Sequence, residues 1–98
     1  MDVIARHLTI LGRVQGVFYR NWTVNTAVDL GLAGWVRNRA DGSVEALVEG
    51  PRDMVDRFIA SAHDGPPAAA VARIDAIDTQ PQGLIASRSA RPPEWRWL

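Results

Sequence analysis

The chain has 98 residues, 47% of them hydrophobic, which is enough for one domain with a core of its own, read here as residues 1–98. Its 11 basic and 11 acidic residues cancel, so no bulk electrostatic attraction to nucleic acid or to an anionic membrane is expected. It has no cysteine and no lysine, which excludes a disulfide framework, a thiol nucleophile, a zinc–thiolate centre, a Schiff-base lysine and a Walker-type lysine.

The first residues, MDVIARHLTILGR, lack the basic n-region and long apolar core of a signal peptide. No apolar run approaches the ~20 residues of a membrane span, so the expected location is cytoplasmic. Val3 to Leu11 alternates as a strand, with Leu8 and Ile10 on one face and His7, Thr9 and Leu11 on the other. GRVQGVFYR follows, from Gly12 to Arg20. It reads as a strand-to-helix turn in which Gly12 and Gly16 serve as turn glycines and site residues at once. Tyr19 to Leu30 is helical in pattern, with Val24, Ala27, Val28 and Gly31 at a spacing that packs on a sheet. Trp22 does not fit that face, and is either exposed or packed against the loop. Gly31 stands where a left-handed C-cap is expected.

Leu32 to Arg39 reads as a second strand, Ala40-Asp41-Gly42 as a hairpin turn, and Ser43 to Glu49 as a third strand. In that third strand Val44, Ala46 and Val48 face the core, while Glu45 and Glu49 face solvent. Gly50-Pro51 opens a second helix with Pro at its first position. The apolar stripe there is Met54, Val55, Phe58, Ile59 and Ala62, and Asp64-Gly65-Pro66-Pro67 ends it. Ala70 to Asp78 is a fourth strand whose facing is ambiguous, because Val71 is out of phase with Ile74. Gln80 to Pro93 is loop-like. Glu94 to Leu98 forms a short last strand with Trp95 and Trp97 on one face. The order predicts an α+β, ferredoxin-like βαββαβ sandwich, with two helices on one face of a mostly antiparallel sheet of four to five strands.

Physically, the Gly12–Arg20 stretch is suited to an oxyanion. Backbone N–H groups at a helix start have no intrahelical partners, and the helix dipole favours negative charge there. Gly16 allows the backbone to curl into a nest, and Arg20 adds a planar fork of donors.

The motifs G-x-V-Q-G-V-F-Y-R, then L-G-L-x-G-W-V-x-N, then D-G-x-V-E with E-G-P, spanning Gly12 to Pro51, resemble the acylphosphatase family. That resemblance implies hydrolysis of carboxyl phosphates to a carboxylate and inorganic phosphate, without a metal, cofactor or covalent intermediate. It implies a phosphate-binding loop of Gln15, Gly16, Val17, Phe18, Tyr19 and Arg20, with Arg20 as the phosphate-binding arginine. Asn38 would then position the attacking water. The partner is a small acyl phosphate rather than nucleic acid or a membrane, and the expected state is a monomer.

Taken alone, Arg20 reads as a solvated surface cation and Asn38 as a strand-end residue before the turn. His7 and His63 lie on separate elements and do not make a metal site. Asp41, Glu45 and Glu49 read as turn and solvent-face charges, so paired-carboxylate catalysis has no support. Two other functions fit the same fold. One is a non-catalytic module binding carbamoyl phosphate or a similar anion. The other is an RNA binder using the open sheet face, which the acidic residues there disfavour.

Overall fold

The computed structural model describes residues 2–83 and 95–97. In chain order its elements are β1 (Val3–Arg13), α1 (Tyr19–Asp29), β2 (Ala33–Asn38), β3 (Val44–Pro51), α2 (Arg52–Ala62), β4 (Ala70–Thr79) and β5 (Trp95–Trp97). The strands form one sheet ordered β4-β1-β3-β2-β5. All pairings are antiparallel except that of β2 with β5, which is parallel. Both helices pack on one face, giving the ferredoxin-like α+β fold expected. The core lies between the layers: Leu8 and Ile10 from β1, Val36 from β2, and Val44, Ala46 and Val48 from β3 meet Tyr19 and Ala27 of α1 and Val55, Phe58 and Ala62 of α2.

The two helices differ in how they bury themselves. In α2 the stripe is the one the sequence predicts, with Val55, Phe58 and Ala62 buried. Its Pro51 is the N-cap, with φ −58° and ψ 139°, and not the first helical residue. In α1 the buried line is Tyr19, Thr23 and Ala27, and Val28 is exposed. The Val24–Val28 line sits one residue, about 100°, around the helix from it. Aromatic packing sets the rotation. Trp22 lies between the rings of Tyr19 and Phe58, at centroid distances of 5.4 and 5.9 Å. It therefore packs on α2, neither exposed nor against the loop. The Tyr19 hydroxyl donates to the Ala62 carbonyl at 2.6 Å, tying the start of α1 to the end of α2. Gly31, at φ 73°, closes α1 as a Schellman cap: its N–H bonds to the Val28 carbonyl and that of Leu32 to Ala27.

The ambiguous facing of β4 has a definite cause. The β1–β4 register pairs Leu11 with Arg73 but Gly12 with Val71, leaving Ala72 as the extra residue of a bulge. Val71 and Ile74 can then both pack against the core. Gly12 belongs to this bulge, inside β1, and is not a turn glycine. A Cβ there would stand 2.3 Å from the Ala70 oxygen and 2.6 Å from the Ala72 nitrogen.

Central β3 is buried on both sides from Val44 to Gly50. Glu45 and Glu49 point to the face opposite the helices, yet neither is a solvent-face charge. Neighbouring strands and the chain after β4 cover them. Glu45 takes hydrogen bonds from His7 of β1 and Arg37 of β2, and Glu49 accepts the Gln82 N–H at 2.6 Å. Strand β5 pairs Trp95 with Gly34 and Trp97 with Val36. The expected facing of Trp95 and Trp97, the strand ends Glu94 and Leu98, and the Gln80 to Pro93 loop beyond Gly83 lie outside the described residues.

Candidate active site

Strand β1 pairs with β3 only as far as Ile10 opposite Val44, but stays with β4 to Arg13 opposite Ala70. The chain then buries Val14 and turns through Gln15 to Phe18 into α1. Two left-handed residues shape the turn, Gly16 at φ 73° and Phe18 at φ 66°, ψ 25°. For phenylalanine that conformation is uncommon and costs about 1–2 kcal/mol. Phe18 is the N-cap residue, and a phenyl ring cannot accept a capping hydrogen bond. The first turn of α1 has no side-chain cap and no acidic residue. The first helical bond runs from the Trp22 N–H to the Phe18 carbonyl at 3.0 Å. The N–H groups of Tyr19, Arg20 and Asn21 precede it, at the positive end of the helix.

A cavity of about 300 Å³ opens at this helix start, lined by Val14, Gly16, Phe18, Tyr19, Arg20, Asn21 and Asn38. It brings together Arg20, half-buried on the first turn of α1, and Asn38, the exposed last residue of β2. Phe18, 80% exposed, stands at its edge. The Tyr19 side chain runs the other way, into the core, so Tyr19 offers the site its backbone. Burial pushes its hydroxyl above the ordinary tyrosine range, and it remains a donor to Ala62.

Two residues of the expected loop are not among the lining residues. Val17 packs partly against the core. Gln15 turns its amide to the β2–β3 hairpin, donating to the Arg39 carbonyl at 2.7 Å and the Ser43 carbonyl at 2.8 Å. The hairpin tip is itself fixed by Asp41 Oδ1, which accepts from the Ser43 hydroxyl at 2.6 Å and the Ser43 N–H at 2.9 Å. These bonds hold the Asp41 carboxyl below its ordinary range. Asn21 also lines the cavity, a position that no motif in the sequence marks. The signal for it is its position next to Arg20 on the first helical turn.

Among the described residues, those lining the cavity supply hydrogen-bond donors, one guanidinium and two neutral amides, with no carboxylate and no histidine. Among the described residues no three His, Cys, Asp or Glu side chains group to hold a metal ion, and no helix is long and apolar enough to cross a membrane.

The family model named Acylphosphatase matches residues 6–87. A protein of Nitrobacter hamburgensis named acylphosphatase is 51% identical over 94 residues, covering 96% of this chain and 92% of its own. The solved acylphosphatase of Bacillus subtilis superposes with a TM-score of 0.80 at 32% identity, over 97% of this chain and 98% of that one. That of Coxiella burnetii gives 0.82 at 30% identity, over 99% and 94%.

Proposed function

The chain belongs to the acylphosphatase family and hydrolyses the carboxyl–phosphate bond of acyl phosphates; from this premise we propose that Arg20 and the amides of the Gly16–Arg20 turn hold the phosphoryl group while Asn38 orients the attacking water. The observation that carries this reading is the shared cavity of Arg20 and Asn38 at the uncapped start of α1.

An acyl phosphate is a mixed anhydride. Its leaving group is a carboxylate whose conjugate acid has a pKa of roughly 4, so it departs without being protonated. The transferred phosphoryl group carries its charge on peripheral oxygens, and catalysis rests on positioning and charge stabilisation. Fixed N–H dipoles and a guanidinium meet that demand. Asn38 is too weak a base to take a proton from water, but its amide oxygen can accept from the nucleophile and hold it in line. The proton leaves with the phosphate product. The same reading has the enzyme acting as a cytoplasmic monomer with no nucleic-acid partner, and the net charge of zero supports the last of these alone.

The test is hydrolysis of benzoyl phosphate at neutral pH with EDTA present, beside p-nitrophenyl phosphate. Arg20→Ala is expected to raise KM and to lower kcat by about 10² to 10³, the usual loss for a donor to developing charge. Asn38→Ala is expected to act through kcat with little change in KM. Near-normal turnover by either folded variant would remove that residue's role.

A further inference from the structure

The site is assembled from two pieces of chain that part company. After Ile10 and Val44 the β1–β3 ladder stops, and the two segments leave it separately, one as the turn into α1 and the other as the hairpin that carries Asn38. A depression of about 130 Å³, lined by Leu11, Gly12, Asp41, Gly42 and Ser43, lies between the end of β1 and the hairpin tip. The β1–β3 ladder therefore does not extend to the hairpin tip.

Gln15 spans the two pieces. One amide nitrogen donates both of its hydrogens, to the Arg39 carbonyl at 2.7 Å and the Ser43 carbonyl at 2.8 Å. Each carbonyl already takes one bond inside the hairpin: Arg39 from the Gly42 N–H at 3.2 Å, and Ser43 from the Arg39 N–H at 2.9 Å. Gln15 fills the second lone pair of each. Arg39 directly follows Asn38, and Gln15 directly precedes Gly16. The bridge thus joins the neighbour of one site residue to the neighbour of the other.

We propose that Gln15 is a positioning residue, which sets the distance between the water-orienting amide of Asn38 and the phosphate-holding turn without touching substrate. The proposal rests on the reading of Asn38 given above. Its chemistry is specific to glutamine. Glutamate offers two acceptors to two acceptors, asparagine is one methylene short, and methionine has the length without a donor. The bonds lie at the surface and partly buried, so the variants should fold. Positioning, on the other hand, is sensitive, since a displacement of about 1 Å can cost about 100-fold in rate.

The experiment is a double-mutant cycle on benzoyl phosphate turnover, with inorganic phosphate as a competitive inhibitor. Gln15→Met is expected to lower kcat by about 10- to 100-fold while the phosphate inhibition constant holds within a few-fold. In the Asn38→Ala background the same change should have almost no effect, because its target is gone. Gln15→Glu should be slow at neutral pH and regain turnover as acid protonates its carboxyl, whose O–H can then donate to one carbonyl. Gln15→Met should show no such recovery. Wild-type kcat in Gln15→Met, or a loss that multiplies fully onto a slow Asn38→Ala enzyme, overturns the positioning role alone. Near-normal turnover by Asn38→Ala overturns the reading of Asn38 and the role of Gln15 with it.

Discussion

Two glycines of the same motif should respond very differently to alanine. At Gly12 the backbone has φ 124°, and a Cβ would stand 2.3 Å from the Ala70 oxygen and 2.6 Å from the Ala72 nitrogen. Both atoms are backbone in β4, at the bulge, and neither can move without displacing the strand. The disfavoured dihedral contributes about 1–3 kcal/mol, and forcing a methyl into occupied space adds about 1–3. A loss of about 4 kcal/mol is a large part of the roughly 5–15 kcal/mol that holds such a domain together. At Gly16 the φ is 73°, but nothing lies within 4 Å of the added Cβ. Only the left-handed conformation is disfavoured there, by about 1–2 kcal/mol. Urea unfolding separates the two cases. With a slope of about 2 kcal/mol/M, the midpoint of Gly12→Ala should fall by about 2 M and that of Gly16→Ala by under about 1 M. Equal midpoint shifts for the two variants would refute the bulge argument.

The hydroxyl of Tyr19 should be worth more to stability than its place in the loop motif suggests. Tyr19→Phe leaves the Ala62 carbonyl without its 2.6 Å donor, which costs about 1–3 kcal/mol, and an unchanged melting temperature would count against the tie between α1 and α2. Glu45 should make stability depend on pH. Burial raises its carboxyl, but hydrogen bonds from His7 and Arg37 outweigh this and hold it below the ordinary glutamate range. A depressed folded pKa contributes stability that is fully present above the unfolded value of about 4.3. That contribution is lost as pH falls through the folded pKa. Urea midpoints of wild type and Glu45→Gln should therefore differ at pH 7 and converge in acid, and a gap independent of pH would sink the assignment.

What could be read from the sequence follows from where each signal is local. The alternation of Leu8 and Ile10, the stripe of α2 and the Gly31 cap each depend on a few neighbouring residues, and all appear as expected. The rotation of α1 does not. Its buried line includes Thr23 and begins at Tyr19, and it is fixed by ring packing against Phe58 across the layer. The facing of β4 depends on one unpaired residue, Ala72, which no period reveals. Glu45 and Glu49 look solvent-facing because alternation reports the side of a sheet and not what covers it. At the site, Arg20 and Asn38 stand out through side-chain type and motif. Gln15 stands out only as a motif letter, because its partners are two backbone carbonyls, which carry no sequence signature.

The helix start suits the proposed site to a phosphoryl group, and the leaving group decides why that site suits an anhydride better than an ester. Most helices quench their first N–H groups with a capping side chain or an acidic residue in the first turn. In α1 the N-cap is Phe18, the first turn has no acid, and an arginine stands there instead. Each choice is unfavourable to the isolated helix and favourable to a bound dianion. Among the described residues, the cavity lining supplies no group able to hand a proton to a leaving oxygen, since the hydroxyl of Tyr19 is engaged in the core. A carboxylate, with a conjugate acid near pKa 4, needs no such proton. An alkoxide does, because its conjugate acid is about as weak as water, at about 15.7. The donors stabilise the phosphoryl group of either substrate alike, so the selectivity lies in the leaving group. On the proposed reading, local helix stability is given up for charge complementarity at one end of α1, and the burial of Tyr19 and Trp22 against α2 offsets the loss.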